Sequence, residues 1–172
     1  MKSNNLLFFS QLYHEHKKAV YHYVLKMTGL QMAAEDIVQN VFMRLFEKFG
    51  TIKQPDRIRY WLISAARNEV YDFFRKEKLR KEDSLEENQE LQSEHSVESE
   101  FAELEMKQVV LREMELLPID QKELFVLREY SGLSYEEIAQ ATGTSKELVK
   151  SRLFTIRQKL IRNIAKRIGV KI

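Results

Sequence analysis

The chain has 172 residues, 28 Lys and Arg against 26 Asp and Glu, and 44% hydrophobic residues, which suits one domain or two small ones beneath a heavily ionised surface. Five glycines and two prolines are too few for a turn-rich all-β fold, so helices are favoured. With no cysteine, a disulfide scaffold, thiol chemistry and a cysteine-ligated zinc site are excluded.

The N-terminus leads only into the short apolar run Leu6 to Phe9. No secretory apolar region follows, and no uncharged stretch approaches the roughly 18 residues of a membrane span. A soluble, cytoplasmic protein is expected. Apolar residues then recur at helical spacing from Leu6 through Leu12, Tyr13, Val20 and Val24 to Met27, where Thr28 and Gly29 punctuate them. A second helix is predicted from about Gln31 to Phe49 on the stripe Ile37, Val38, Val41, Phe42, Leu45 and Phe46, with Gly50 as its stop. Pro55 and Asp56 open a third, with apolar Ile58, Trp61, Leu62, Ala65, Val70, Phe73 and Phe74, running into a basic end at Arg75 to Lys78. Trp61 and Leu62 are expected in the core.

Residues 82–100 carry Ser, Glu, Gln, Asn and His with few apolar anchors, a composition that does not offset ordering entropy, so a linker is predicted. Helical period returns at Phe101 and ends before Pro118. Three capping-box patterns follow: Asp120 with Glu123, Ser134 with Glu137, and Thr144 with Glu147, each ahead of an apolar run.

Charge is distributed in blocks. Residues 57–81 hold eight basic and three acidic residues, 82–105 hold ten acidic and no basic ones, and 144–172 hold nine basic and one acidic. Two basic segments flanking an acidic one are the electrostatic footprint of nucleic-acid binding, or else the solvated faces of helices.

Leu133 to Arg152 has helix–turn–helix spacing. Ala139 is small enough for close helix approach, Gly143 supplies the turn, and Leu148 and Val149 are expected to bury the second helix. Lys146, Lys150, Ser151, Phe154 and Arg157 are left for its outer face, where early residues suit base edges and later cations suit phosphates. A plain helical hairpin is the bland alternative. Upstream, aromatic and cationic residues alternate from Trp61 to Lys76, and Asn68, Asp72 and Arg75 share a face. Aromatics beside cations stack unpaired bases while neutralising phosphates.

On these residues the chain resembles the bacterial RNA polymerase sigma factors of the extracytoplasmic-function (ECF) type, in the sigma-70 family. Glu35 to Phe46 resembles family region 2.2, Trp61 to Lys76 regions 2.3–2.4, and Leu116-Leu117-Pro118 through Leu160 region 4. The resemblance implies an all-α fold of two small helical domains, a region 2 bundle (1–81) and a region 4 helix–turn–helix (104–172), joined by a flexible acidic linker (82–103). It implies that Asp36, Gln39, Phe42, Leu45 and Phe46 bind core RNA polymerase. It implies that Arg67, Asn68, Tyr71, Asp72 and Arg75 recognise and open the −10 promoter element, with the loop Thr51–Asp56 beside them. Lys146, Lys150, Ser151, Arg152, Phe154 and Arg157 are implied to read the −35 element. An anti-sigma protein is implied as a further partner. Asn40 stands where many members carry an acid, and Thr155 where many carry a base.

Catalysis, a cofactor and a bound metal are not expected. No Walker loop, GxSxG or HExxH occurs, and His14, His16 and His22 do not share a face well. Two other readings remain: a polymerase-independent helix–turn–helix regulator, and a helical interaction module without nucleic acid.

Overall fold

The computed structural model describes residues 2–48, 57–83 and 101–170. Seven helices and no strand occur among them: α1 (Lys2–Thr28), α2 (Gln31–Lys48), α3 (Ile58–Asp83), α4 (Phe101–Glu115), α5 (Ile119–Glu129), α6 (Tyr135–Thr142) and α7 (Lys146–Ile168). They form two units, α1–α3 and α4–α7. Most of the expected linker, the stop at Gly50, the opening at Pro55 and Asp56, and the loop Thr51–Asp56 lie outside the described residues.

In the first unit each helix packs on the other two. Buried residues recur three and four apart, which puts them on one side of each helix. They are Leu12, Val20, Tyr23, Val24 and Met27 on α1, Ala34, Ile37, Val38, Val41, Phe42 and Leu45 on α2, and Ile58, Leu62, Ile63, Ala66 and Val70 on α3. Each buried Val, Leu, Ile, Phe or Met side chain contributes about 1.5–3 kcal/mol by leaving water. The α1–α2 corner is closed by Gly29 at φ 71°. There the Thr28 hydroxyl donates to the Val24 carbonyl at 2.9 Å. Arg44 of α2 holds Glu69 of α3 at 2.6 Å. Trp61, expected in the core, is only half-buried, because it lies on the far side of α3 from Leu62 and Ala66.

In the second unit α7 is the central element, packing on α4, α5 and α6. Its stripe of Val149, Leu153, Ile156 and Leu160 meets Met114, Leu124, Leu127, Leu133 and Ile138 in one core. Three charged groups are buried, Glu113, Lys122 and Glu123. Glu113 accepts from Arg167 at 2.7 Å, and Lys122 donates to Glu115 at 2.7 Å.

Candidate nucleic-acid interface

The turn between α6 and α7 is built from local hydrogen bonds. The Ser134 hydroxyl accepts from the Glu137 N–H at 3.2 Å, and the Glu137 carboxylate accepts from the Ser134 N–H at 2.7 Å, a reciprocal capping box. Gly143 ends α6 in the left-handed region at φ 68°. The other two expected caps fall elsewhere. Ser145, not Thr144, caps α7, accepting from the Leu148 N–H at 3.2 Å. The Thr144 hydroxyl instead meets that of Thr142 at 3.0 Å. Asp120 lies inside the first turn of α5, which begins on the Pro118 carbonyl as it accepts from the N–H groups of Gln121 and Lys122 at 2.9 Å.

Helical rotation fixes what α7 presents. Its stripe starts at Val149, so Leu148, expected inside, is turned out and 41% exposed. Opposite the stripe stand Ser151, Phe154, Thr155 and Gln158, all exposed, with Phe154 at 65%. Lys146, Lys150 and Arg157 line one edge of that face, and Arg152 lies on the other. Of the six residues expected at the −35 element, five are exposed and Arg157 is half-buried, and all lie on or at the edges of the face opposite the stripe. Gln158, which the sequence reading did not name, lies on this face, as does Thr155, which stands where many family members carry a base.

Two of the cations are tethered. Lys146 pairs with Glu136 of α6. Arg157 grips Glu129 of α5 through two donors, at 2.6 and 3.2 Å. The hydrogen bond to Glu136 raises the Lys146 ammonium above its ordinary pKa and lowers that of the Glu136 carboxyl. Arg157 is raised by its hydrogen bonds to Glu129 and then Tyr135. Arg128 in turn stacks over the Tyr135 ring at 4.8 Å. None of Glu129, Tyr135 or Glu136 carries a sequence signal, since the pairs form only when three helices meet.

On α3, Asn68 and Arg75 are exposed and Arg67, Tyr71 and Asp72 half-buried. The Arg67 guanidinium sits over the Tyr71 ring at 4.8 Å, and Arg75 donates to Asp72 at 2.5 Å. Asn68, Tyr71, Asp72 and Arg75 lie on the side of α3 away from its buried stripe, and half-buried Trp61 joins them two and three turns earlier. The five residues expected at the −10 element are thus brought close along one helix as a cation–aromatic surface.

The residues expected to bind polymerase divide. Asp36, Gln39 and Phe46 are exposed, Phe46 at 52%. Phe42 (3%) and Leu45 (0%) are interior, because both fall on the stripe that meets α1 and α3. Met43, 54% exposed, is the apolar residue of the outer face that the stripe did not include. Beside it runs a groove of about 780 Å³ between α1 and α2. Phe9, Tyr13, Phe42 and Phe46 line it, with Lys17 and Glu35 at its edge. Phe9 meets Phe46 edge-on at 5.0 Å. The spacing of four in both aromatic pairs was the available signal. Among the described residues no three His, Asp or Glu come together as a metal site, and no helix is long and apolar enough to cross a membrane.

A helical bundle with a cation–aromatic face, followed by a helix–turn–helix unit with an exposed basic helix, defines a two-part helical DNA-binding protein. Residues 12–80 match Sigma-70 region 2, and residues 107–160 match Sigma-70, region 4. The chain is 30% identical over 152 residues to the ECF RNA polymerase sigma factor SigM of Bacillus subtilis, covering 87% of this chain and 91% of that one. It is 29% identical over 160 residues to the ECF RNA polymerase sigma factor BldN of Streptomyces coelicolor, covering 92% of this chain but 59% of the relative's length. The chain belongs to the ECF RNA polymerase sigma factors of the sigma-70 family. The match to region 2 as well as region 4 leaves the reading as a polymerase-independent regulator without support. The sigma factor RpoE of Bartonella quintana, solved with the anti-sigma factor NepR, shares the fold at TM-score 0.71 and 24% identity over 91% of this chain and 96% of that one. CnrH, solved with the cytosolic domain of CnrY, does so at TM-score 0.67 and 24% identity over 93% and 89%.

Proposed function

We propose that the chain, in the cytoplasm, mounts on core RNA polymerase through Asp36, Gln39, Met43 and Phe46 of α2. In this reading α3 opens the −10 element with Arg67, Asn68, Tyr71, Asp72 and Arg75, and α7 reads the −35 element with Lys146, Lys150, Ser151, Arg152, Phe154 and Arg157. Residues 1–81 and 104–172 act as separate grips, and the acidic 82–103 segment is their tether. The observation that carries the reading is the exposed basic side of α7, whose hydrophobic stripe is fully used within its own unit.

Duplex opening needs no catalytic side chain and no cofactor. Contacts to extruded bases offset unstacking of about a few kcal/mol per step. The Arg67–Tyr71 stack supports this role, since a guanidinium already seated on an aromatic ring combines phosphate attraction with a surface for a base. An inhibitory partner of the anti-sigma class belongs to the same reading. Its support is the company of the two solved proteins of like fold, one named with an anti-sigma factor and the other with a partner's cytosolic domain.

The test is run-off transcription with core polymerase and a promoter library randomised at both elements. Selective start-site use is expected, and it is expected to weaken in Lys150→Gln, Arg152→Gln and Asn68→Ala. Failure of the chain to join core polymerase overturns the reading.

A further inference from the structure

Both tethered cations of α7 are held by carboxylates that come from outside that helix. Glu136 belongs to the first turn of α6 and Glu129 to the last turn of α5, so neither pair is a neighbour contact along one helix. All four side chains stand well open to solvent, at 38–56% exposure. A carboxylate there offers the cation what a phosphate offers, an oxygen anion accepting a charge-assisted hydrogen bond. The Glu129–Arg157 contact brings two guanidinium donors onto one carboxylate oxygen, donors that the same fork can offer to a phosphate. Stability does not explain these pairs, since exposed ion pairs contribute little to folding. Two of the unit's buried charges, Glu113 and Lys122, are matched elsewhere, by Arg167 and Glu115.

We propose that Glu136 and Glu129 are internal competitors of DNA phosphate, which occupy Lys146 and Arg157 in the free protein and so lower the affinity of this unit for DNA. The proposal rests on the reading of α7 as the −35 helix. Each pair must open before its cation neutralises a phosphate, and the freed carboxylate stays near enough to cancel part of that charge. DNA binding is then weaker, and less steeply dependent on salt, than the number of basic residues on α7 implies. The raised pKa of Lys146 and of Arg157 keeps both cations charged.

The test uses the full chain assembled with core polymerase, on a promoter duplex that the wild-type assembly has selected. Affinity is measured across a salt series for Glu136→Gln and Glu129→Gln, alone and combined with Lys146→Gln and Arg157→Gln respectively. Each single Gln variant is expected to bind about two- to fivefold tighter at moderate salt. Its log–log slope should steepen by up to about 0.9. Both gains should vanish once the partner cation is gone. Unchanged or weaker binding by the Gln variants overturns the proposal, as does a gain that persists without the cation. If Lys146→Gln and Arg157→Gln weaken binding while the carboxylate variants gain nothing, only the competition is wrong. If those two cation variants have no effect, the −35 reading has failed and the proposal falls with it.

Discussion

Tyr13 of α1 and Phe42 of α2 meet edge to face, with ring centroids 4.8 Å apart. That contact, with 3% of Phe42 exposed, makes Phe42 a floor of the α1–α2 groove rather than a side chain free to enter a partner. Phe42→Ala is therefore expected to cost about 3–5 kcal/mol in urea unfolding. Met43→Ala, on the outer face, is expected to leave unfolding within about 0.5 kcal/mol while weakening capture of core polymerase. Equal losses of stability in both variants would show that the two residues share one environment, contrary to the structure.

The division between Phe42 and Met43 marks the limit of what the residues tell by themselves. Periodicity found the helices because each buries one stripe, and Ser134 with Glu137 was legible because a capping box closes within four residues. Thr144 and Ser145 are both competent caps, and only the path of the chain from Gly143 selects Ser145. Leu148 is apolar, yet the stripe beginning at Val149 turns it outward. Phe42, Leu45 and Phe46 look alike in sequence, but α1 and α3 cover the first two and leave the third half open. The basic helix of the candidate site was legible. The carboxylates on Lys146 and Arg157 were not, since those pairs span 10 and 28 residues and exist only after the unit folds.

His16 faces the core of the first unit, with only 13% of its side chain exposed. Burial lowers its pKa, the charge of Glu15 opposes that, and Arg59 adds to the lowering. The unfolded chain then binds a proton that the folded one resists, so stability rises with pH in this window. His16 contributes fully above about pH 6.5, the ordinary imidazole value, and the contribution is lost as the pH falls from there through its lowered folded value. Urea midpoints of wild type should drop between about pH 7 and 5 more than those of His16→Gln. Parallel pH profiles for the two proteins would remove His16 from the account.

Gly143 sits at φ 68° with open space where a Cβ would stand. Alanine there meets no neighbour, so its penalty is the left-handed backbone alone, about 1 kcal/mol. Gly143→Asn, which tolerates that region better, should lose less. Thermal unfolding ranks the three. A larger loss for Asn than for Ala would mean that side-chain crowding, not backbone conformation, governs the turn.

Arg167 closes the far end of α7 on Glu113, which is 4% exposed. Removing the cation leaves a buried carboxylate unmatched, whereas removing both groups does not. Arg167→Met alone is expected to cost about 1–3 kcal/mol in urea unfolding, and adding Glu113→Gln should recover much of it. Additive losses in the double variant would show the contact to be energetically idle.

If α7 reads the −35 element as proposed, its exposed side separates charge from selectivity. If Lys146, Lys150, Arg152 and Arg157 each met one phosphate, their joint contribution to the log–log salt slope would be about −3.6. The Glu136 and Glu129 pairs hold the first and last of these, so the wild-type contribution should fall short of that figure. Lys150 and Arg152 are exposed on opposite edges of the face and should each act nearly in full. Lys150→Gln or Arg152→Gln should make the slope of the polymerase-bound chain shallower by about 0.9, across all promoter sequences alike where the contact is to phosphate. Phe154 carries no charge and is 65% exposed at the centre of the face. Phe154→Ala should therefore leave the slope unchanged and alter which −35 sequences are preferred. The reverse pattern, with a changed slope for Phe154→Ala and an unchanged one for Lys150→Gln, would mean that α7 meets DNA through a different side.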